Sequence, residues 1–465
     1  MQQQYESTFL VIGGGIAGVS CIETLTFLCP DQKIILVTES KLIKTVTNLV
    51  PLAKAVSRFD IEERNAETLK GNLTVLVDRM VSVNSTTKTV VTEKGIEVKY
   101  KLMCLCTGAR PKLIDQAADN PLVIGIRDTE SVLEFQKRIK HSKRIAIVGN
   151  GGIASEIVYE IRNIAIHWVI KDSFISQSFV DPGAAELFQC KIRNKSNVQS
   201  ETKTTFKRLR YDEDGQSDNK SGGALGPDWH RTLDLDGGER EMPDSVVVHK
   251  NCEVRSMSME NEQLAVTLTN GEKIICDFLV SATGVNPSLN FITDVPFELA
   301  GDGGILVDEL MKTSIDGVYA AGDVCTAGWD KAKHWFQMRL WTQARQFGSM
   351  AGKSMAAALE GNEIYQDFCF ELFGHVTQLF GYQVVLLGRF NGQDLGRNYE
   401  VLIRTTPDLE YIKYVLVDGK VVGAILIGET GLEETTENLI LNELDVTPYG
   451  DDLLNPDIDI EDYFD

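Results

Sequence analysis

Two glycine-rich segments of this chain have the residue spacing that binds the phosphates of a dinucleotide. The first, residues 13–18, follows an apolar run at residues 9–12 and precedes a helical pattern that continues to Leu28. The second, residues 149–154, follows an apolar strand pattern at residues 144–148. In such a strand–turn–helix the unpaired N–H groups and the dipole of the helix N-terminus favour anions. The spacing predicts two phosphate-binding turns; for the first, a glycine-rich turn without a ligand is the alternative.

The first segment reads G-x-G-x-x-G, in which the glycines permit a tight turn, approach of a pyrophosphate and close helix packing. A second predicted strand, residues 34–38, ends at Glu39, which lies 21 residues after Gly18. A carboxylate at that position can accept hydrogen bonds from both hydroxyls of an adenosine ribose. The predicted contacts of this site are Gly13, Gly15, Ile16, Ala17, Gly18 and Glu39.

The second segment reads G-x-G-x-x-A, the permitted small-residue variant, and the strand pattern after it ends at Lys171. A cation at the ribose position can attract a 2′-phosphate, which makes NADPH at least as plausible as NADH. A solvated lysine at a strand end is the alternative. The predicted contacts of this site are Gly149, Gly151, Gly152, Ile153 and Lys171.

Length and composition restrict the class of protein. The 465 residues predict about three domains, each able to bury its own core. A net charge of −21 argues against direct binding of DNA or RNA, which needs a basic surface. We expect neither a targeting sequence before the first strand nor a membrane span. Nine scattered cysteines are typical of reduced thiols inside the cell.

Three further motifs accompany the two turns in a fixed order, one between the turns and two after the second turn. They are Thr107-Gly108, Thr283-Gly284 and Gly322-Asp323, of which the first two follow predicted strands. The ordered set resembles the FAD-dependent pyridine nucleotide-disulfide oxidoreductases over nearly the whole chain. The resemblance implies FAD at the first turn, NAD(P)H at the second, and passage of the chain between their domains at the Thr-Gly motifs. It also implies that Gly322 and Asp323 hold the flavin ribityl chain, since a carboxylate accepts strongly from hydroxyls.

The resemblance implies an α/β fold with two nested Rossmann-like domains, as in glutathione reductase, plus a small α+β C-terminal domain. The expected domains are FAD-binding at 1–122 and 283–360, NAD(P)-binding at 123–282 with a charged insertion at about 194–244, and C-terminal at 361–465. One long helix is predicted at 335–358, and strands at 384–387, 401–403, 411–417 and 421–427. Trp229 in the insertion is interpreted as an anchor or a partner contact. The acidic tail, 451–465, is interpreted as solvated or as docking to a basic groove.

The thiols that disulfide reductases of this family use are missing. The family carries two cysteines, or one reactive cysteine, after the first βαβ unit, whereas residues 41–49 here contain none and the chain has no C-x-x-C. Direct dithiol chemistry is therefore not expected. Cys104 and Cys106 are interpreted as core packing, and Cys325 as small apolar filler or as a group near the flavin. The six histidines show no ligand spacing, so no metal is predicted.

Two residues are candidates for catalysis. Lys44 lies where relatives without the disulfide place a basic group beside the flavin, where its charge would stabilise anionic reduced flavin. Glu156 matches the acidic position of the family near the nicotinamide. The alternatives are a solvated lysine and a carboxylate favoured by the helix dipole.

Two functions are consistent with these observations. The first is an FAD-dependent oxidoreductase that passes hydride from NAD(P)H to flavin and on to oxygen, a quinone or a protein partner. The resemblance implies a cytoplasmic and nuclear antioxidant role and, as a partner, the tRNA-splicing ligase complex. The second is a redox sensor in which a stable complex of reduced flavin with NAD(P)+ regulates partner binding.

Overall fold

The computed structural model describes residues 3–117, 120–126, 129–161, 164–193, 205–211 and 246–455. The chain forms two compact units, each made from two separate stretches of sequence. The first unit contains Met1–Arg110 and Asn286–His375, and the second contains Pro111–Val285 and Val376–Asp465. The chain therefore passes from the first unit to the second after Arg110, returns to the first after Val285, and enters the second again after His375.

Helices and strands follow one another in three successive segments of the chain. The first segment contains β1 (Gln4–Ile12), α1 (Ile16–Leu28), β2 (Ile34–Thr38), β3 (Leu42–Pro51), β4 (Ser57–Asn65), β5 (Leu73–Val77), β6 (Met80–Asn84), β7 (Thr89–Thr92), β8 (Glu97–Leu105) and β9 (Ala109–Pro111). The second contains β10 (Val123–Gly125), α2 (Thr129–Ile139), β11 (Arg144–Val148), α3 (Gly152–Glu160), β12 (Ala165–Val169), α4 (Pro182–Arg193), β13 (Thr205–Tyr211), β14 (Val246–His249), β15 (Val254–Glu260), β16 (Gln263–Leu268), β17 (Lys273–Cys276), β18 (Phe278–Ser281) and β19 (Val285–Pro287). The third contains β20 (Ile292–Thr293), β21 (Ile305–Val307), β22 (Val318–Ala320), β23 (Cys325–Ala327), α5 (Trp341–Glu360), β24 (Gly374–Leu379), β25 (Tyr382–Gly388), β26 (Tyr399–Thr406), β27 (Glu410–Val417), β28 (Lys420–Ile427) and α6 (Glu433–Leu441).

The first unit is built on a sheet with the strand order β20-β6-β7-β8-β1-β2-β5, in which β22 also pairs with β8. The central strands β8, β1, β2 and β5 are parallel. Their apolar character explains this arrangement, because every residue of β2 is buried and a parallel sheet is covered on both faces. The carboxyl ends of β1 and β2 therefore meet at one edge, where Gly13 and Glu39 follow them.

Helices α1 and α5 pack closely on this sheet through small residues. A Cβ atom added to Gly348 would overlap the carbonyl oxygen of Ala17, and one added to Gly352 would lie 2.9 Å from the carbonyl oxygen of Cys21. The backbones of the two helices thus approach each other where glycine stands on α5. This contact fixes α5 against the first turn of α1.

The predicted helix at 335–358 is wrong at its start, because α5 begins at Trp341. The side chain of Gln343 accepts a hydrogen bond from the Met338 N–H at 2.8 Å and donates one to the Phe336 carbonyl at 2.8 Å. Side-chain bonds of this kind compete with helical backbone bonds. Trp335 is also buried among aromatic rings, which include those of Trp329 and Phe347. Residues 335–340 are therefore irregular rather than helical.

The second unit contains a parallel sheet with the strand order β10-β18-β11-β12-β14. An antiparallel three-stranded sheet, β15-β16-β17, shares a buried apolar cluster with it. Together with the sheet of the first unit, this parallel sheet confirms the two predicted Rossmann-like domains.

A six-stranded sheet, β13-β26-β27-β28-β25-β24, includes the four strands predicted near the C-terminus. Asp418 and Gly419 join β27 to β28 with positive φ angles of 49° and 74°, as the predicted hairpin requires. Part of the expected insertion is a strand, since β13 pairs antiparallel with β26. Trp229 and residues 456–465 of the tail lie outside the described residues. In the described part of the chain, no helix is long and apolar enough to cross a membrane.

Candidate active site

The first glycine-rich turn lies between β1 and α1. The N–H of Gly13 donates to the Val37 carbonyl at 2.8 Å, and its φ of 113° is unfavourable for other residues. A Cβ atom added there would overlap the carbonyl oxygen of Cys106, and one added to Gly18 would overlap that of Gly13. By contrast, a Cβ atom on Gly15 would meet no protein atom within 4 Å. Gly13 and Gly18 therefore serve backbone packing, whereas Gly15 borders open space that a Cβ atom would fill.

The second glycine-rich turn repeats this division of roles. Gly149 has a φ of 130°, donates to the Val169 carbonyl at 3.1 Å, and a Cβ atom added to it would overlap the Ala282 carbonyl oxygen. A Cβ atom on Gly151 would meet no protein atom within 4 Å. Helix α3 then begins with Gly152 and Ile153.

Both turns fit a bound pyrophosphate. Helix α1 has Gly15 as its N-cap and α3 has Gly151, and glycine has no side chain to accept hydrogen bonds from the first amides of the helix. Those amides are left for a ligand, beside the open space at Gly15 and Gly151. The structure thus places Ile16 and Ala17 in the first turn of α1, and Ile153 in the first turn of α3, at the positions expected for phosphate contacts.

Each Thr-Gly motif lies near one point where the chain changes unit and is hydrogen-bonded, within its own unit, to residues near another such point. In the first unit, the Thr107 hydroxyl donates to the Ser288 carbonyl at 2.7 Å, and the Ser288 N–H donates to the Gly108 carbonyl at 2.9 Å. In the second unit, the Thr283 hydroxyl donates to the Lys112 carbonyl at 2.8 Å, and the Lys112 N–H donates to the Gly284 carbonyl at 2.9 Å. Both motifs stabilise the places where the chain changes unit.

The Gly-Asp motif lies beside the first glycine-rich turn. A Cβ atom on Gly322 would lie 2.8 Å from Cβ of Ala17 and 3.8 Å from Cβ of Ala344. The Gly322–Asp323 loop, the first turn of α1 and the first turns of α5 therefore meet at one place. Asp323 is buried there, which suits a carboxylate that accepts from ligand hydroxyls.

Arg339 holds this loop and was not identified as a site residue from the sequence. Its Nε donates to the Asp323 carbonyl at 2.9 Å, while its Nη2 lies 2.9 Å from an Asp302 carboxylate oxygen and 3.2 Å from the Thr326 hydroxyl. Partial burial tends to raise the pKa of Asp302. Hydrogen bonds from the Gly304 amide and from Arg339 outweigh this effect and lower the pKa. Arg339 therefore ties the Asp323 loop to a second loop of the same unit.

Lys44 is brought to the first glycine-rich turn by its backbone. It lies on β3, which pairs with β4 as a two-stranded ribbon, and its N–H donates to the Gly14 carbonyl at 3.0 Å. This ribbon, residues 42–65, occupies the stretch where the disulfide reductases have their cysteines, and it contains none. Glu39 is exposed at the end of β2.

Glu156 lies on α3 of the second unit, one turn after the glycine-rich segment, and its side chain reaches solvent. Partial burial, and then the like charge of Glu160 four residues later, raise its pKa. Lys171 is exposed after β12, and the carboxylate of Asp172 beside it accepts a hydrogen bond from Asn150. Sequence reasoning missed Asn150 and Asp172.

Seven of the eight described cysteines are buried, and Cys369 is partly buried. The Sγ atoms of Cys104 and Cys106 lie 3.5 Å apart, and both side chains are buried. Hydrogen bonding to Cys106 and Cys21, together with burial, raises the pKa of Cys104, and burial raises that of Cys325. The Cys325 thiol also donates to the Gly322 carbonyl at 3.2 Å. In the described residues, no group of three His, Cys, Asp or Glu side chains is arranged to hold a metal.

We expect these thiols to resist alkylation in the native protein. Iodoacetamide reacts with the thiolate form of cysteine. Burial raises the pKa of Cys369, for example, to about 12, so only roughly one part in 10,000 of this thiol is ionised at about pH 8. Peptide mapping by mass spectrometry should show Cys104, Cys106 and Cys325 unmodified under conditions that fully alkylate the urea-unfolded protein. Rapid native labelling of Cys104 or Cys106 would instead reveal an accessible thiol pair and reopen dithiol chemistry.

Comparison with known proteins agrees with this geometry. The family model described as pyridine nucleotide-disulphide oxidoreductase matches residues 7–225 and 239–348. Pyridine nucleotide-disulfide oxidoreductase domain-containing protein 1 of Drosophila melanogaster is 53% identical over 467 residues, which cover 98% of this chain and 99% of that protein.

Two solved structures have the same fold at low sequence identity. A ferredoxin reductase from Rhodopseudomonas palustris is 18% identical, with a TM-score of 0.69 over 98% of this chain and 99% of its own. A water-forming NADH oxidase from Lactobacillus brevis is 15% identical, with a TM-score of 0.66 over 95% of this chain and 92% of its own. The chain therefore belongs to the pyridine nucleotide-disulphide oxidoreductase family, and its cofactors are FAD and NAD(P)H.

Proposed function

We propose that this protein oxidises NAD(P)H through FAD and passes the electrons to oxygen, a quinone or a protein partner without using a protein disulfide. Bound FAD supplies the chemistry, because it can accept a hydride and release electrons singly or in pairs. The observation that carries the proposal is the β3–β4 ribbon. It is hydrogen-bonded to the first glycine-rich turn through Lys44, and it has no cysteine where the disulfide reductases of the family have theirs.

The residues have distinct roles in this proposal. Gly15 and Gly151 leave room for the two pyrophosphates, and Asp323, held by Arg339, accepts hydrogen bonds from the ribityl hydroxyls. Lys44 stabilises negative charge on the reduced cofactor. Glu156 orients the nicotinamide from the first turns of α3.

The acceptor and the cellular role belong to the proposal as well. The structural neighbours include a ferredoxin reductase and a water-forming NADH oxidase, so a protein acceptor and oxygen are the first ones to test. By resemblance, we propose a cytoplasmic and nuclear antioxidant role that protects the tRNA-splicing ligase complex.

Anaerobic stopped-flow reduction of the FAD-loaded protein by NADH and by NADPH tests this function. We expect bleaching of the flavin absorbance near 450 nm, followed by its return when air, a soluble quinone or ferredoxin is added. The Gly15→Ala variant, purified without FAD, should show no such change and serves as the control.

Two results would contradict the proposal. Brisk turnover with glutathione disulfide or oxidised thioredoxin would point to dithiol chemistry. A persistent long-wavelength band that none of the acceptors discharges would favour the sensor function, in which the reduced complex itself regulates partner binding.

A further inference from the structure

Asn150, the second residue of the second glycine-rich turn, is a buried hydrogen-bonding centre. Its Nδ2 donates to an Asp172 carboxylate oxygen and to the Phe174 carbonyl, both at 2.8 Å. Its Oδ1 accepts from the Ser176 N–H at 2.6 Å. The side-chain amide therefore uses both of its functional groups to bind the loop that follows β12. A buried amide satisfied in this way fixes the conformation of its partners.

The loop that Asn150 holds has a conformation that needs support. Ser176 is fully buried and has a φ of 57°, which non-glycine residues rarely adopt. Its hydroxyl lies 2.8 Å from that of Ser155 on α3, and its carbonyl accepts from the N–H groups of Phe179 and Val180. The loop is thus attached both to the glycine-rich turn and to the helix that follows it.

The geometry places Asp172 rather than Lys171 at the glycine-rich turn. Lys171 occupies the same position in the second site as Glu39 in the first. The N–H of the first glycine of each turn donates to a carbonyl of the neighbouring strand, Val37 or Val169, and Glu39 and Lys171 each lie two residues after that carbonyl. Lys171 is exposed, whereas the half-buried Asp172 is bonded directly to the turn residue Asn150. The adenosine ribose of a dinucleotide lies between this turn and the end of the second strand. One carboxylate oxygen of Asp172 is used by Asn150, which orients the other.

We propose that Asn150 is a positioning residue that sets the Asp172 carboxylate to accept the adenosine ribose hydroxyls, so that the protein selects NADH over NADPH. A carboxylate at this place repels a 2′-phosphate and binds the free 2′-hydroxyl. Lys171 does not determine the preference. The inference rests on the proposed function, because it concerns the donor site of the same reaction.

Equilibrium binding of NAD+ and NADP+ to the FAD-loaded protein, measured by isothermal titration calorimetry, tests the inference without turnover. We expect the wild type to bind NAD+ at least about tenfold more tightly than NADP+. Asn150→Ala should weaken NAD+ binding about tenfold, because it frees the carboxylate, and should change NADP+ binding less than about threefold. Lys171→Ala and the control Asn270→Ala, in an exposed turn of the same unit, should leave the ratio of the two affinities unchanged.

A general structural role of Asn150 would give a different pattern. It would weaken both nucleotides equally, and this would overturn the inference, as would a wild type that prefers NADP+. Asp172→Asn keeps the shape of the side chain and removes only its charge. It should lower the ratio of the affinities with unchanged FAD content and unfolding temperature, even if Asn150→Ala folds poorly. An unchanged ratio in Asp172→Asn would also overturn the inference. Absence of any nucleotide binding to the FAD-loaded wild type would contradict the proposed function instead.

Discussion

Replacing Gly15 with alanine is expected to weaken FAD binding about 10- to 100-fold, the cost of forcing one methyl group into a closely packed contact. The folded apoprotein should be unaffected, since the new Cβ atom would meet no protein atom within 4 Å. The backbone of Gly15 is also ordinary, with a φ of −74° that alanine adopts readily. The FAD dissociation constant, measured by fluorescence titration of the apoprotein, and its unfolding temperature test both parts of this prediction.

Three matched variants distinguish loss of ligand from loss of fold. Gly151→Ala should weaken nicotinamide nucleotide binding and leave FAD in place, because its open space lies at the second turn. Gly301 lies in an exposed turn where a Cβ atom would also meet nothing within 4 Å, so Gly301→Ala should leave the binding of both FAD and the nicotinamide nucleotide unchanged. Gly13→Ala should destabilise the apoprotein itself, since its Cβ atom would overlap the Cys106 carbonyl oxygen. Full retention of FAD by Gly15→Ala would show that the pyrophosphate does not lie where α1 begins.

The sequence predicted those parts of the site that depend on short-range patterns. Glycine spacing, apolar strands and the Asp418-Gly419 hairpin are local, because positive φ angles and strand alternation restrict the residue type at each position. In the structure, Gly13 and Gly149 lie between a strand and a helix, and Thr107 and Thr283 lie within a few residues of the points where the chain changes unit.

The parts that were missed depend on contacts between residues distant in sequence. Arg339 reaches Asp302, 37 residues away, and Asn150 reaches Asp172, 22 residues away. No periodicity marks either pair, since a polar side chain before a helix or within a glycine-rich turn is usually solvated. Similarly, β13 joins the C-terminal sheet through backbone pairing with β26, nearly 200 residues later, and its own charged sequence resembled a loop. Only the folded chain shows which distant partner satisfies each polar group.

A buried ion pair within the second unit should show the largest effect on stability. Nζ of Lys413 on β27 lies 2.7 Å from a carboxylate oxygen of Asp181, and the two side chains are only 5% and 10% exposed. The Tyr411 hydroxyl donates to Asp181 at 3.0 Å, and Lys413 also donates to Asn391 at 2.8 Å. Burial lowers the pKa of Lys413, although the Asp181 charge opposes the shift. The pair therefore joins the residue before α4 to the C-terminal sheet, at a place where burial largely shields both charges from solvent.

Removing one partner leaves the other charged group buried without its counter-ion. Lys413→Met is expected to lower the free energy of unfolding by about 3–5 kcal/mol, whereas the double variant Asp181→Asn, Lys413→Met should recover most of that loss. The exposed pair Lys273–Glu260, with side chains 48% and 45% exposed, provides the control, and Lys273→Met should cost no more than about 1 kcal/mol. Urea unfolding followed by circular dichroism measures all three. Equally small losses of unfolding free energy for Lys413→Met and Lys273→Met would show that water reaches the Asp181–Lys413 pair. A double variant no more stable than Lys413→Met would show that the shape of the side chains, not their charge, determines what the pair contributes to stability.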